Sequence, residues 1–75
     1  MDTSSPVISF EIKYAGKLVF CEAVLQSTSY QIFFNGQYMA HIEPDASFTW
    51  IQTDGRLLLQ STIEEIGAHI DGHLD

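Results

Sequence analysis

The stretch YQIFFNGQYMAHIE, residues 30–43, decides the fold, because it contains the strongest hairpin signal in the chain. Asn35 and Gly36 both tolerate positive φ and lie between two runs of strand-forming residues. A two-residue turn at this point brings Phe33 opposite Tyr38 on the neighbouring strand. The stretch therefore predicts an antiparallel hairpin.

Alternation of apolar and polar residues continues on both sides of this hairpin, until residue 61. Turn residues break it at Ala15-Gly16, Ser27-Thr28 and Pro44-Asp45. A register chosen separately at each turn stacks apolar residues on one face of all five strands, and this agreement favours an antiparallel meander. The predicted strands are VISFEIKY (7–14), KLVFCEAVLQ (17–26), YQIFFN (30–35), QYMAHIE (37–43) and SFTWIQ (47–52).

The register makes specific predictions for strand pairing. The first two hairpins pair Ile12 with Val19, Phe10 with Cys21, Ile8 with Ala23, Leu25 with Tyr30, Ala23 with Ile32 and Cys21 with Phe34. The later hairpins pair Ile32 with Met39, Trp50 with Met39 and Phe48 with His41. A glycine bulge at Ala15-Gly16 is the alternative for the first hairpin. It would turn Leu18 and Phe20 inward but set Glu22 against Ile8, which argues against it.

The hydrophobic period changes from two to that of a helix at Ser61. Ser61 and Glu64 have the spacing of a capping box, and Gly67 lies where a missing side chain permits close approach to the sheet. We predict one helix over residues 61–74, preceded by a short strand or a packed loop at residues 57–59. Its apolar stripe comprises Ile63, Ile66, Ile70 and Leu74.

The predicted fold is therefore α+β, a five-stranded antiparallel meander with one C-terminal helix packed on one face (βββββα). Residues 1–6 are predicted to be a disordered lead, and residues 7–75 a single domain. Hydrophobic residues make up 45% of the 75-residue chain, which is a composition typical of a folded protein.

Composition and charge limit the classes of function. The net charge of −7, with three permanent cations, argues against nucleic-acid binding, because such a surface repels phosphate. An acidic decoy of nucleic acid, which would bind a basic protein partner, is an alternative. Cys21 is the single cysteine, which favours a reducing compartment. Without a signal-peptide pattern or a membrane-length apolar run, we expect a soluble, cytoplasmic protein.

Glu65, His69 and His73 are four residues apart, so a helix would present them on one side as possible zinc or nickel ligands. A fourth ligand is missing, and His73 follows Gly72 close to the chain end. Each residue is also explained by the helix dipole alone. A small metal-binding protein is therefore an alternative hypothesis, and no cofactor is predicted.

Catalytic chemistry has little support in the sequence. His41 is predicted on the inner face of the fourth strand, as a satisfied core or rim residue. Cys21 is interpreted as a small buried residue between Phe20 and Ala23. The chain contains no phosphate loop, dinucleotide fingerprint or Ser-His-Asp grouping. We expect a protein that is not an enzyme.

The sheet face away from the helix is unexpectedly apolar. A face exposed to water should be polar, yet the register places here Leu18, Phe20, Val24, Phe33, Tyr38, Ala40, Ile42 and Ile51. We predict an interaction module, most simply a homodimer or else a complex with another protein. The alternatives are a strongly curled sheet with residues 57–59 over one rim, or strand addition at an open fifth strand. The predicted contact residues are Phe20, Phe33, Tyr38, Ile42 and Ile51.

The segments FNGQYMAHIEPD, FTWIQTDGRLLLQ and IEEIG together resemble a group of short, uncharacterised bacterial proteins of Bacteroidetes type. The resemblance covers most of residues 30–70. It implies a stand-alone bacterial cytoplasmic protein, but no activity, cofactor or functional residue. The shared pattern comprises Asn35-Gly36, Ala40, Ile42, Trp50, Gln52, Gly55 and Ile66-Gly67.

Overall fold

The computed structural model describes residues 7–74, and side chains for residues 7–72. It contains one antiparallel sheet with strand order β1-β2-β3-β4-β5, followed by one helix, so the α+β prediction is confirmed. The predicted lead at residues 1–6 lies outside the described residues. The elements are β1 (Val7–Tyr14), β2 (Lys17–Leu25), β3 (Tyr30–Phe34), β4 (Gln37–Pro44), β5 (Trp50–Gly55) and α1 (Gln60–Leu74).

The first two hairpins have the predicted register, and all six predicted pairs are confirmed. Ala15 and Gly16 have φ values of 54° and 79°, so the first turn is a two-residue turn rather than a glycine bulge. Asn35 and Gly36 likewise have φ values of 52° and 86°. The Asn35 side chain accepts a 3.0 Å hydrogen bond from the Phe20 backbone N–H, which ties this turn to β2.

A β-bulge in β4 changes the register after the third turn. Phe33 lies opposite Tyr38 as predicted, but Ile32 lies opposite Ala40 rather than Met39. Met39 is therefore an extra residue, and both Met39 and Ala40 are buried. Because a bulge inserts one residue, it exchanges the two faces of the strand beyond it.

For this reason, the predicted orientations of several β4 side chains are wrong. Ala40 and Ile42 point into the core and are 0% exposed, although they were expected on the far face. His41 points away from the helix rather than toward it, and lies opposite Asp54.

The strand β5 begins three residues later than predicted. Trp50 lies opposite Pro44, not Met39, and a second irregularity separates the pairs made by His41 and Ile42. Phe48 is in the β4–β5 loop with φ 64° and does not pair with His41. The predicted Asp45 turn is present: Asp45 Oδ1 accepts hydrogen bonds from the backbone N–H groups of residues 47 and 49 at 2.8 and 3.0 Å.

The helix begins at Gln60, and the predicted capping box is wrong. The Leu59 carbonyl accepts a hydrogen bond from Ile63 N–H at 3.1 Å, so Leu59 occupies the N-cap position and Ser61 is inside the first turn. The Gln60 side chain instead ties this end to the sheet, because its amide donates to the Trp50 carbonyl at 2.8 Å. The stripe residues Ile63, Ile66 and Ile70 are buried as predicted, and the Leu74 side chain lies outside the described part.

The sheet curls around the helix, which packs against β1 and β5, the two edge strands. Four inter-strand spacings separate these edges by about 19 Å in a flat sheet, which is wider than a helix of about 10–12 Å. The Phe10 ring stacks on His69 with centroids 4.4 Å apart. On the other edge, Trp50 Nε1 donates to Asp71 Oδ2 at 3.2 Å. The helix therefore shields the Phe10, Ile32 and Trp50 side, as the sequence predicted.

Candidate functional site

The predicted metal ligands are only partly within the described residues. The His69 ring is engaged in stacking on Phe10, Glu65 is exposed, and the His73 side chain lies outside the described part. Among described residues, no group of three or more His, Cys, Asp or Glu side chains could hold a metal ion. The metal site stays a prediction, since one of its three residues is undescribed.

Cys21 lies on β2 between Phe10 and Phe34 of the neighbouring strands and is 0% exposed. Burial, with smaller contributions from the charges of Glu22 and Glu65, raises the pKa of the Cys21 thiol to about 12. The thiol is therefore protonated at neutral pH and inaccessible, which is the environment of a packing residue rather than a nucleophile.

An aromatic patch remains on the sheet face that the helix leaves uncovered. We call this face the outer face and its central apolar cluster the outer patch. Leu18 and Phe20 are 62% and 43% exposed, and Tyr38 is 38% exposed. The Phe33 and Tyr38 rings meet edge to face with centroids 5.9 Å apart. The outer patch comprises Leu18, Phe20, Val24, Phe33 and Tyr38.

The strand pairing makes the outer patch continuous across β2, β3 and β4. Phe33 is paired with Tyr38 on one side and with Glu22 on the other. Phe20 and Val24 are each two residues from Glu22, so they are diagonal neighbours of Phe33, within reach of an aromatic side chain. A partner that covered β3 would therefore contact all of these side chains.

The predicted contact residues divide into three groups. Phe20, Phe33 and Tyr38 lie on the outer face, within the outer patch. Ile51 is on the same face and half-buried, but it is paired with Glu43 and lies outside the outer patch. Ile42 is in the core and 0% exposed, so it cannot contribute to an exposed surface. The bulge at Met39 caused this error.

A polar cluster beside the outer patch was not predicted. The Tyr38 hydroxyl and His41 Nδ1 are 2.7 Å apart, and His41 is paired with Asp54. Partial desolvation, followed by the Asp54 carboxylate, raises the pKa of the Tyr38 hydroxyl. The adjacent apolar residues Met39 and Ala40 are the one sequence feature that could have indicated the bulge, and with it this cluster.

The curl of the sheet does not cover the outer face. Of the three leucines at residues 57–59, which were considered as a cover over one rim, only Leu58 is buried. The helix and the curled sheet enclose the inner face alone, so the outer patch stays accessible to another molecule.

No helix in the described part of the chain is long and apolar enough to cross a membrane. Comparison of the chain with protein-family models, with curated proteins and with solved structures finds no match. Function is therefore inferred from the geometry of this fold.

Proposed function

We propose that the protein is a non-enzymatic interaction module that self-associates through the outer face. The observation that carries this proposal is the continuous outer patch, which the helix leaves open. Monomeric proteins rarely leave contiguous aromatic surface in water, because its burial is favourable. A small domain also gains the most from such burial, since its own core is limited.

The size of the outer face is compatible with a dimer of moderate stability. Five strands at about 4.8 Å spacing, with about 27 Å for an eight-residue strand, give a face of roughly 600 Å². Stable interfaces bury about 800 Å² per partner. Because the sheet curls around the helix, the outer face is convex, and two copies meet first at the central strands. The outer patch occupies these strands.

The net negative charge of the outer face opposes the association of two copies. The outer face carries four carboxylates, Glu11, Glu22, Glu43 and Asp54, and only one permanent cation, Lys13. Two copies that meet face to face bring like charges together, so dissolved salt should strengthen the dimer by screening them. A basic protein partner, the alternative occupant, would be bound less tightly as salt is added.

Replacement of Phe33 by Glu should abolish the dimer. The new carboxylate would be buried at the centre of the interface, opposite Glu22, without a partner. We expect monomeric protein with an unchanged circular dichroism spectrum, measured by sedimentation velocity at a concentration where the wild type is dimeric. Phe33 is half-buried, so Phe20→Lys serves as a second variant. The new lysine can pair with Glu11 on β1, which preserves the folded monomer.

Phe48→Glu is the matched control. Phe48 is 87% exposed but lies in the β4–β5 loop, outside the outer patch. This variant should remain as dimeric as the wild type. If Phe48→Glu dissociates the dimer as much as Phe33→Glu does, the outer face is not the interface. The same conclusion follows if the dimer persists in both Phe33→Glu and Phe20→Lys.

A further inference from the structure

A second feature is an open cavity beside the start of the helix, at the edge of the sheet that β1 forms. It has a volume of about 620 Å³ and lies between the end of β1 and the segment leading into α1. This volume is within the range of sites that bind small molecules. Its lining residues are Lys13, Tyr14, Ala15, Leu57, Leu58, Leu59, Gln60 and Thr62.

Thr62 is a buried polar residue in the wall of this cavity. It is 8% exposed. The hydrogen bonds of this region join Gln52 to Leu58 and Gln60 to Trp50, and they leave the Thr62 hydroxyl without a partner among described residues. Buried polar groups are normally hydrogen-bonded, so this hydroxyl is available to a polar group of a molecule in the cavity.

The three permanent cations of this acidic chain are close, in the sequence or by strand pairing, to residues that line the cavity. Lys13 lines it, Lys17 is paired with the lining residue Tyr14, and Arg56 directly precedes Leu57. These are all three permanent cations of the sequence. Glu64 is the nearby acid on the helix, and its carboxylate lies 3.5 Å from the Gln60 amide. The lining itself contains no carboxylate.

The mouth of the cavity is apolar and uncovered. Leu57 and Leu59 are 89% and 73% exposed, although Leu58 between them is buried. Leu59 also occupies the N-cap position, where Ser, Thr, Asp or Asn would stabilise the helix. Neither leucine is explained by packing within the described fold, whereas both would contact a molecule that entered the cavity.

We infer that this cavity binds a single-chain amphiphile with an anionic head, of the long-chain carboxylate type. The hydrocarbon chain would pack on Tyr14 and the leucines at residues 57–59. The carboxylate would accept a hydrogen bond from the Thr62 hydroxyl and pair with Lys13. The cavity and the outer patch share no residue, although Lys13 also borders the outer face, where it is paired with Leu18 of the patch.

The test compares two amphiphiles of equal chain length and opposite charge, laurate and dodecyltrimethylammonium, by isothermal titration calorimetry below their micelle concentrations. The net charge of −7 favours the cation, while the cavity favours the anion. We expect laurate to bind about tenfold more tightly, as one charge-assisted contact allows. Equal binding, or preference for the cation, would overturn the inference.

Two variants locate the site. Lys13→Gln should weaken laurate binding about fivefold or more, whereas Thr28→Glu, which gives the same net charge from the exposed β2–β3 loop, should not. Thr62→Val should weaken binding without lowering the melting temperature, because it removes an orphan hydroxyl. Unchanged laurate affinity in both Lys13→Gln and Thr62→Val would contradict the assignment, as would laurate-induced amide shifts confined to the outer face.

Discussion

At the residue scale, Ala15 is held in a conformation that its side chain disfavours. It is the first residue of the β1–β2 turn, with φ 54°, where Asn or Gly is preferred. The chain uses Asn at the equivalent position of the β3–β4 turn, with φ 52°. The first turn is therefore locally weaker than the third, although both have the same geometry.

Ala15→Asn should raise the free energy of unfolding by about 1 kcal/mol, because Asn tolerates the left-handed region. Urea denaturation measures the change. Ala46→Asn is the control, since Ala46 is exposed in the β4–β5 loop and is not among the residues with positive φ. It should change stability by no more than a few tenths of a kcal/mol. A destabilised Ala15→Asn variant would contradict the turn assignment.

Cys21 should make stability depend on alkaline pH. The folded protein holds the thiol proton up to a pKa of about 12, whereas the unfolded chain loses it near 9.0. The folded state therefore binds more protons above pH 9, and stability falls as the pH rises toward 12. The loss is at most about 1.4 kcal/mol per pH unit.

The measurement is urea unfolding of wild type and Cys21→Ala at increasing pH. Cys21→Ala should be less stable at neutral pH, because it leaves a cavity, but it should lose less stability above pH 9. The raised pKa of Tyr38 acts in the same direction in both proteins and cancels in the comparison. Parallel pH profiles would show that Cys21 is not buried as described.

At the scale of elements, the helix depends on one glycine for its approach to the sheet. A Cβ atom at Gly67 would overlap the Cγ, Cδ1 and Nε1 atoms of the Trp50 ring. Trp50 is also anchored by its hydrogen bond to Asp71, so the ring cannot move freely. This close approach was predicted from the place of Gly67 beside the Ile stripe, and it is confirmed.

Gly67→Ala should therefore destabilise the protein by about 1–3 kcal/mol, the usual effect of overpacking, although alanine is the better helix former. Gly72→Ala is the matched control, because a Cβ there meets nothing within 4 Å. It should be neutral or stabilising by up to about 1 kcal/mol. Thermal unfolding of both variants checks the pair, and a stabilising Gly67→Ala would contradict the helix–sheet packing.

The strands differ in how well the sequence predicts their pairing. Turn chemistry and alternation predict β1, β2 and β3 with their pairing, because each turn there has two residues and each strand keeps its phase. In β4 the phase reverses at Met39, where burial of two successive apolar residues outweighs regular pairing. Alternation alone cannot detect this, and it therefore placed Ile42 on the wrong face.

The same limit applies to the candidate sites. Phe20, Phe33 and Tyr38 precede the bulge or lie outside it, so the sequence places them correctly. The cluster of His41 and Asp54 depends on the shifted register, and the cavity depends on how the leucine segment at residues 57–59 packs against the end of β1. The cluster and the cavity are both formed by tertiary contacts, which a local sequence pattern does not predict.

At the scale of the whole molecule, charge and apolar surface are unevenly distributed. The helix covers the inner face, the outer face combines aromatic residues with carboxylates, and the lining of the cavity contains Lys13 and no carboxylate. The fold therefore offers two separate surfaces with different chemistry. The proposed self-association uses the outer face, and it is the central claim about this protein.

The most direct test of that claim is sedimentation equilibrium of the wild-type protein, from low to high micromolar concentration, at low and at high salt. Self-association through an acidic, aromatic face predicts a reversible monomer–dimer equilibrium whose association constant rises with salt, because screening removes repulsion between the copies. A monomer at every concentration and both salt levels would contradict the claim. A dimer that weakens as salt is added would contradict the proposed face.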